Sequence, residues 1–566
     1  MKDHLNRRKF LKAAGLSAAS LILASCNEQL IKAPTKKPNV LFIMCDDLNH
    51  YVEGMGGHRQ AKTPNIKRLM KKGVTFTNAH TNHPACLPSR SSLFSGIYPH
   101  LSGANGWEGW KDSEMLKKCT SMLVHLKNNG YAMYGTGKLE HSAWTHRWVW
   151  NDQNGKSNFA GNTDYGPSPW DGKSKGWGSH PKDIDMEKLI DNHIEKIWKA
   201  RGEHYFGPLS DVPEYEPDPE KGIPGFKGWA NADRTLFRYV DDDDRDLMND
   251  EKSANFAADV LSEKHEKPFF LGVGFIRPHT PMYAPKKYFD MFPLDKIELP
   301  PYKGNDLDDC MEFKHLVFKY GFQRHELYKK YGGVEMWKRC IQAYLACTTF
   351  ADDQIGKVLD ALEKSPYAKD TIVIFTSDHG FHLGEKDFNF KLTAWELSTR
   401  VPFVAVAPGI TEPGKVCSKP ISLIDIYPTI IDLCDLPKNP NRKTNKQPLS
   451  GHSIKPFLID PKNGRWDGPD VALTCVYNND LDEANKKKIQ TYHYSARSED
   501  FRYTLYSNDA EEVYDHRKDP HEWDNLAKDQ RYKRVKSKMK RKLFKLLGDN
   551  PDAKRGIIYN RKKIGV

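Results

Sequence analysis

The sequence predicts an α/β protein, with a sheet buried between helices and a smaller unit of antiparallel strands after it. Three observations carry that prediction. Short apolar runs at Asn39–Met44, Phe269–Gly274 and Thr371–Phe375 read as strands buried on both faces, as in a parallel sheet. Helix-like stretches, Ala254–Leu261 and Tyr344–Leu362, separate them. Beyond residue 437 the pattern changes, and Ser495–Arg497 and Phe501–Tyr506 alternate as antiparallel strands do.

Length and composition agree. A chain of 566 residues can bury a large core and holds one large domain with a smaller one. An aromatic content of 11% beside 28% charged residues excludes a disordered chain. The net charge of +12 suits an acidic substrate, and equally a generally basic surface. No arginine-rich recognition motif appears, so nucleic acid is not expected as a partner.

In chain order, Asn6–Lys12 (NRRKFLK) precedes an apolar run, Ala13–Ser25, that is too short to span a bilayer comfortably. It ends in Leu23-Ala24-Ser25-Cys26. This is similar to a twin-arginine export signal joined to a bacterial lipoprotein box. That likeness implies removal of residues 1–25, a lipid on Cys26 as the membrane anchor, and a place in the periplasm or on the cell surface. A secretory signal that happens to end in cysteine is the plainer alternative. Residues 26–38 form a polar tether. Apart from Cys26 and Cys86, the cysteines show no metal-knuckle spacing, and no disulfide is assigned.

The first strand ends in Asp46-Asp47. Carboxylates at such a tip lie where open α/β sheets bind ligands, although turn residues or a helix N-cap would look the same. Next comes TNHPACLPSRSSLFSG, Thr81–Gly96. Cys-x-Pro-x-Arg arises by chance in roughly a few per cent of chains this long. Pro88 fixes the chain, Ser89–Ser92 can start a helix, and a helix N-terminus with Arg90 would stabilise negative charge on residue 86. For an isolated cysteine, burial before a turn would be the plain reading.

A strand ending in Gly135-Thr136-Gly137-Lys138 delivers Lys138 and His141 to that same sheet edge. Residues 142–235 lose periodicity and scatter tryptophans among Gly, Asn, Ser and Pro. Trp148 and Trp170 are candidates for stacking on sugar rings, and packing of a long loop explains them equally well. Asp241–Asp244 reads as a solvated face or as N-terminal helix charge. His279, between Pro278 and Pro281, is expected in a rigid extended segment. The third strand leads into Asp378-His379-Gly380 and on to Lys391. Ser422–Pro437 is an amphipathic helix that closes the large domain, which gives units 39–437 and 438–566. The last helix, Arg531–Leu547, is strongly basic, with Val535, Met539, Leu543 and Leu546 on one side. A packed apolar side and a solvated basic face fit it better than membrane binding.

Cys86-Leu87-Pro88-Ser89-Arg90 with Ser95-Gly96 resembles the signature of the type I sulfatases, with Ser95 where threonine is usual. Asp46-Asp47, Thr63-Pro64-Asn65, Gly137-Lys138 with His141, Pro278-His279 with Pro281, Thr376–Pro402 and Glu511–Leu526 match further family elements, in family order. The likeness covers residues 38–530 and is strongest to the branch that includes iduronate 2-sulfatase. It implies an alkaline-phosphatase-like α/β/α sandwich with a C-terminal α/β subdomain containing an antiparallel sheet, and hydrolysis of a sulfate monoester. By the same resemblance, a separate formylglycine-generating enzyme oxidises Cys86 to Cα-formylglycine, whose hydrate attacks sulfur. One Ca²⁺ would be held by Asp46, Asp47, Asp378 and His379 together with residue 86, in the oxygen-rich ligation that calcium prefers.

Arg90, Lys138 and Lys391 would supply positive charge to the sulfate. His279 would protonate the leaving alcohol and His141 would act as base, or the two histidines would exchange roles. The sequence departs from the family pattern at Arg277, Lys386, His379 and Leu397. A sulfated polysaccharide or oligosaccharide is the implied substrate, with Lys138, His279 and Lys391 on the sulfate and Trp148 and Trp170 on the sugar. Two alternatives remain. One is a phosphomonoester or phosphonate hydrolase of the same superfamily. The other is a silent glycan-binding surface lipoprotein, against which the intact Cys86, Arg90, Lys138 and Lys391 argue.

Overall fold

A computed structural model describes residues 37–106, 109–141, 147–169, 206–212, 214–215, 226–231, 235–482, 487–548 and 557–558. The export signal, Cys26 and most of the tether lie outside these residues, as do Trp107, Trp144, Trp170 and Trp177.

The expected apolar runs become the middle of one eight-stranded sheet. Its strands are β1 (Asn39–Cys45), β2 (Val74–His80), β3 (Ala132–Gly137), β4 (Phe269–Gly274), β5 (Thr371–Ser377), β6 (Arg400–Val406), β7 (Lys415–Cys417) and β8 (Ile421–Ser422). The order is β7–β2–β6–β5–β1–β4–β3, with β8 also on β2. Strand β1 pairs in parallel with both β4 and β5, and β6 alone runs the other way.

Being central, β1 is apolar on both faces, and alternate side chains feed two cores. Val40, Phe42 and Met44 pack with helices α1 (Cys86–Ser95), α2 (Met122–Asn128) and α3 (Ile426–Leu433). Leu41, Ile43 and Cys45 face α4 (Asn249–Ser262) and the second half of α5 (Lys319–Lys364). The helix expected at Tyr344–Leu362 is therefore the end of a longer one, broken at Gly333, whose φ of 56° is left-handed.

The second unit is an antiparallel sheet of β9 (Ala472–Asp482), β10 (Lys487–Arg497), β11 (Phe501–Leu505) and β12 (Glu511–Asp515), with Ile557–Ile558 added on β10. Its last helix, α6 (Lys533–Leu547), buries Met539, Leu543 and Leu547 against that sheet. Chain immediately past residue 437 first packs back on the large sheet, because Ile454, Phe457 and Leu458 lie in the core beneath α3. Nine cysteines among the described residues are buried and unbridged, Cys340 and Cys347 included.

Candidate active site

Parallel strands end on one edge, so the residues that follow β1, β3, β4 and β5 meet there. Asp46 and Asp47 follow β1, and Asp378 and His379 follow β5. Lys138 turns off β3 where that strand comes closest to β4. A Cβ on Gly137 would lie 1.9 Å from the Gly274 carbonyl oxygen, and its φ is 67°, so glycine is required there. Cys86 opens α1, and Gly96 ends that helix with φ 67°.

Cys86 Sγ stands at the centre of the cluster. It lies 3.4 Å from Asp46 Oδ1, 3.3 Å from His379 Nε2 and 3.1 Å from Lys391 Nζ, and it shares a hydrogen bond with His141. Lys391 Nζ also reaches Asp47 Oδ1 at 2.7 Å, and Lys138 Nζ pairs with Asp46 Oδ2. Arg90, one turn into α1, donates from Nε to Asp378 Oδ2 at 2.8 Å and from Nη1 to the Lys138 and Leu139 carbonyls. It thus ties the Lys138 segment to Asp378, and its Nη2 lies 3.6 Å from Asp46 Oδ2.

Burial would push the Cys86 thiol up, yet Lys138, Lys391 and His379 outweigh that and hold it well below its usual value. Burial takes Asp47 up to about 7 despite Lys391 and His379. His379 goes the other way: burial disfavours its charge, but Asp378 and Cys86 raise it to about 9. Burial, reinforced by Lys391, depresses His279. The site is thus a buried, charge-dense pocket tuned to hold a negative group at residue 86.

Oxygen and nitrogen atoms suited to a cation converge here. One atom each from Asp46, Asp47, Cys86 and His379 lie within 4.8 Å of one another. Asp47 Oδ2 is buried with no hydrogen-bond donor, as expected of a carboxylate oxygen with a further ligand to bind. Asp378 sits slightly apart. Its Oδ1 accepts from the Asp47 and His379 amides, at 3.3 and 2.9 Å, and Arg90 takes Oδ2.

His279 reaches this edge, with Nε2 3.7 Å from Asp47 Oδ2, but not on an extended segment. The chain turns, and His279 N donates to the Ile276 carbonyl at 2.9 Å. Buried Asp250 holds the start of this segment by accepting the Ile276 and Arg277 amides at 2.8 and 2.9 Å. Arg277 points away from the centre and holds the Tyr165 and Gly166 carbonyls.

That places Tyr165, which the sequence reading missed, in the site. Its ring lies 4.6 Å from Lys138 Nζ and 4.8 Å from the His279 ring centroid. It comes from the aperiodic stretch, where only the neighbouring Gly166-Pro167 marked a fixed turn.

The tryptophans fare differently. Trp150 and Trp110 are core residues. Trp148 is 47% exposed, but its ring lies over Lys127, in the last turn of α2. That turn leads into β3, so it sits at the opposite end of the strand from Lys138. The placement corrects the expectation of Trp148 at the sugar. Trp170 is outside the described residues.

Comparison with known proteins gives a sulfatase family match over residues 38–436, and a match to "N-sulphoglucosamine sulphohydrolase, C-terminal" over 384–549. A sulfatase of Formosa agariphila is 31% identical over 523 residues, covering 91% of this chain and 88% of that protein. Human iduronate 2-sulfatase is 24% identical, covering 87% and 89%. Among solved structures, the phosphonate monoester hydrolase of Agrobacterium radiobacter has a TM-score of 0.63 at 21% identity, covering 90% of this chain and 95% of that one. A 2-O GAG sulfatase has a TM-score of 0.57 at 20% identity, covering 89% and 91%. These structural likenesses show the alkaline-phosphatase-like fold. The family match takes in the whole large sheet and every residue at its reactive edge, and so the chain belongs to the sulfatase family, as a type I sulfatase that hydrolyses sulfuric esters.

Proposed function

We propose that the protein removes sulfate from a sulfated polysaccharide or its oligosaccharides, using Cys86 converted to Cα-formylglycine. The observation that carries this reading is the setting of residue 86. It sits at a helix N-terminus, between two lysines and two histidines, where negative charge on a nucleophilic oxygen is stabilised and a resting thiol has no evident task. The hydrated aldehyde would supply a hydroxyl oxygen to attack sulfur. A Ca²⁺ ion on Asp46, Asp47 and His379, with Asp378 orienting or joining them, would supply fixed positive charge that favours the deprotonated hydroxyl.

The chain's own groups do the rest. Lys138, at the end of β3, and Lys391, on the loop between β5 and β6, converge on the reaction centre and offset charge on the sulfate oxygens as it grows in the transition state. Tyr165 packs beside Lys138 and shields it from water. His279 donates from Nδ1 to the Thr280 carbonyl, which leaves Nε2 facing the centre. The sulfate's negative charge favours a protonated His279, which hands its proton to the leaving alcohol. His141, bonded to residue 86, is placed to take the proton whose loss releases sulfate. Atoms balance as R–O–SO₃⁻ + H₂O giving R–OH and HSO₄⁻.

The glycan reading is supported by relatives. One solved neighbour is described in complex with D-glucosamine-2-N,6-O-disulfate, and another is named a 2-O GAG sulfatase. An exported, lipid-anchored protein with Cys26 acylated fits a polymeric substrate met outside the cytoplasm, and intact-mass analysis of membrane-fraction protein tests that address.

Peptide mass spectrometry of active protein is expected to show an aldehyde or its hydrate at residue 86. Cys86→Ala should lose turnover, and full activity in protein carrying only unmodified cysteine overturns the mechanism. Asp46→Asn and Asp47→Asn should lose bound metal together with activity, read by elemental analysis. Desulfation of defined sulfated oligosaccharides, run beside an aryl sulfate and an aryl phosphate, tests substrate class. Faster turnover of the phosphate would favour a phosphohydrolase instead.

A further inference from the structure

Helix α6 carries eight cations in 15 residues, Lys533, Arg534, Lys536, Lys538, Lys540, Arg541, Lys542 and Lys545, and no acid. Helix stability does not explain this composition. Cations in the first turn oppose the helix dipole, and no acid within the helix relieves them.

The fold divides these charges. Lys536 and Lys540 are neutralised by Glu511, at 2.8 and 2.9 Å, and Lys542 by Asp470. Arg534, Lys538, Arg541 and Lys545 recur at intervals of four, three and four residues, so they form one stripe. All four are exposed, and none has an ion pair among the described residues. The stripe spans about 16 Å of helix axis.

Its direction is set by the sheet beneath. On β11, Arg502 points toward the large domain and pairs with Glu396, while the next residue, Tyr503, points to the other face and bonds Glu511, the partner of α6. The helix therefore covers the face opposite Arg502, with its outer stripe turned away from the reactive edge. A groove of about 520 Å³ runs alongside, where Lys538, Lys542 and Lys419 share the walls with the carboxylates Asp470, Glu499 and Asp500, so the exposed stripe and not the groove carries the excess positive charge.

We propose that this stripe is a second, non-catalytic binding surface for a sulfated polysaccharide chain. The inference rests on the polymeric substrate proposed above. Charge complementarity selects the occupant: a line of unpaired cations matches a linear polyanion, which gains by releasing its counterions along that line. A membrane fits less well. An interfacial helix inserts its apolar side among acyl chains, and here that side, Met539, Leu543 and Leu547, is spent on the sheet. Holding one part of the polymer on α6 raises the effective concentration of its other sulfates at the reactive edge.

The test compares the wild type with a variant carrying Arg534→Gln, Lys538→Gln, Arg541→Gln and Lys545→Gln. A control of equal net charge carries Lys71→Gln, Lys364→Gln, Lys369→Gln and Lys438→Gln, all exposed and away from the helix. Binding to dextran sulfate is read by affinity electrophoresis across a salt series, and turnover of an aryl sulfate reports on folding. The stripe variant is expected to bind at least tenfold more weakly, with a shallower salt dependence and unchanged aryl sulfate turnover, while the control binds as wild type. Equal binding by the stripe variant, equal loss in the control, or no wild-type binding overturns the proposal. So does a stripe effect confined to phosphatidylserine vesicles, which would assign the surface to a membrane. The binding comparison needs no turnover, so it decides the stripe even if the oligosaccharide screen removes the polymer as the substrate at Cys86.

Discussion

Lys138 and Lys391 are each already paired with a carboxylate beside residue 86, so their charges are fixed before substrate arrives. Replacing either with alanine should lower kcat by on the order of 10²–10³ on every sulfate ester, small aryl sulfates included. Trp148→Ala belongs in the same comparison as an expected silence. With its ring over Lys127, it should leave kcat/KM unchanged on both an aryl sulfate and an oligosaccharide. A selective loss on the oligosaccharide would return Trp148 to the sugar site. Both lysines were legible as residues in motifs. Tyr165 was not, because its place depends on Arg277 gripping the Tyr165 and Gly166 carbonyls across more than a hundred residues of sequence.

At the scale of elements, the loop that carries Lys391 is held from outside its own domain. Arg502 on β11 is fully buried and donates to the Ala394 carbonyl at 2.9 Å and to Thr399 Oγ1 at 3.0 Å, while pairing with Glu396 and Glu522. Trp395 Nε1 reaches Glu512 at 2.9 Å, and Lys386 pairs with Asp306 at 2.8 Å and bonds the Glu522 carbonyl. The C-terminal sheet is thus a clamp on the reactive loop. Arg502→Gln should cost at most about 3–5 kcal/mol of stability, because Glu396 and Glu522 lose the arginine they share and keep Arg497 and His516. In the fraction that remains folded it should lower kcat more than it raises KM. Denaturant unfolding and steady-state kinetics read the two effects separately, and intact kcat would mean that the network only stabilises.

For the whole molecule, the same network predicts how the protein responds to acid. Burial raises the Glu522 carboxyl, but Arg502 and His516 outweigh it and bring it from 4.5 to about 2. A depressed folded-state value means that this stabilisation is complete above the unfolded value near 4.5, and is lost as pH falls through about 2. Stability measured by denaturant should therefore decline between those limits, and Glu522→Gln should flatten that part of the profile while lowering the plateau. An unchanged slope in the variant would show that other carboxylates govern acid unfolding.

Much was legible from the chain alone, for a physical reason. Apolar runs specify strands buried on both faces, and parallel strands present their ends on one edge. That pattern put Asp46, Lys138 and Asp378 at strand ends, and the resemblance to the sulfatase signature joined them with His279 in one site before any contact was known. The turn at His279 could not be foreseen, because the residues that lead into it are held by a distant carboxylate, Asp250. Nor could the fates of the tryptophans, since an aromatic ring on an aperiodic stretch serves packing or binding equally well until its neighbours are known. Only tertiary structure showed that Arg90 pairs with Asp378 and bonds the Lys138 segment, that Arg502 grips the reactive loop, and that α6 neutralises three of its cations and leaves one stripe exposed. Motifs fix which chemical groups are present. Which charge meets which depends on contacts between residues far apart in the chain, and no local pattern encodes those.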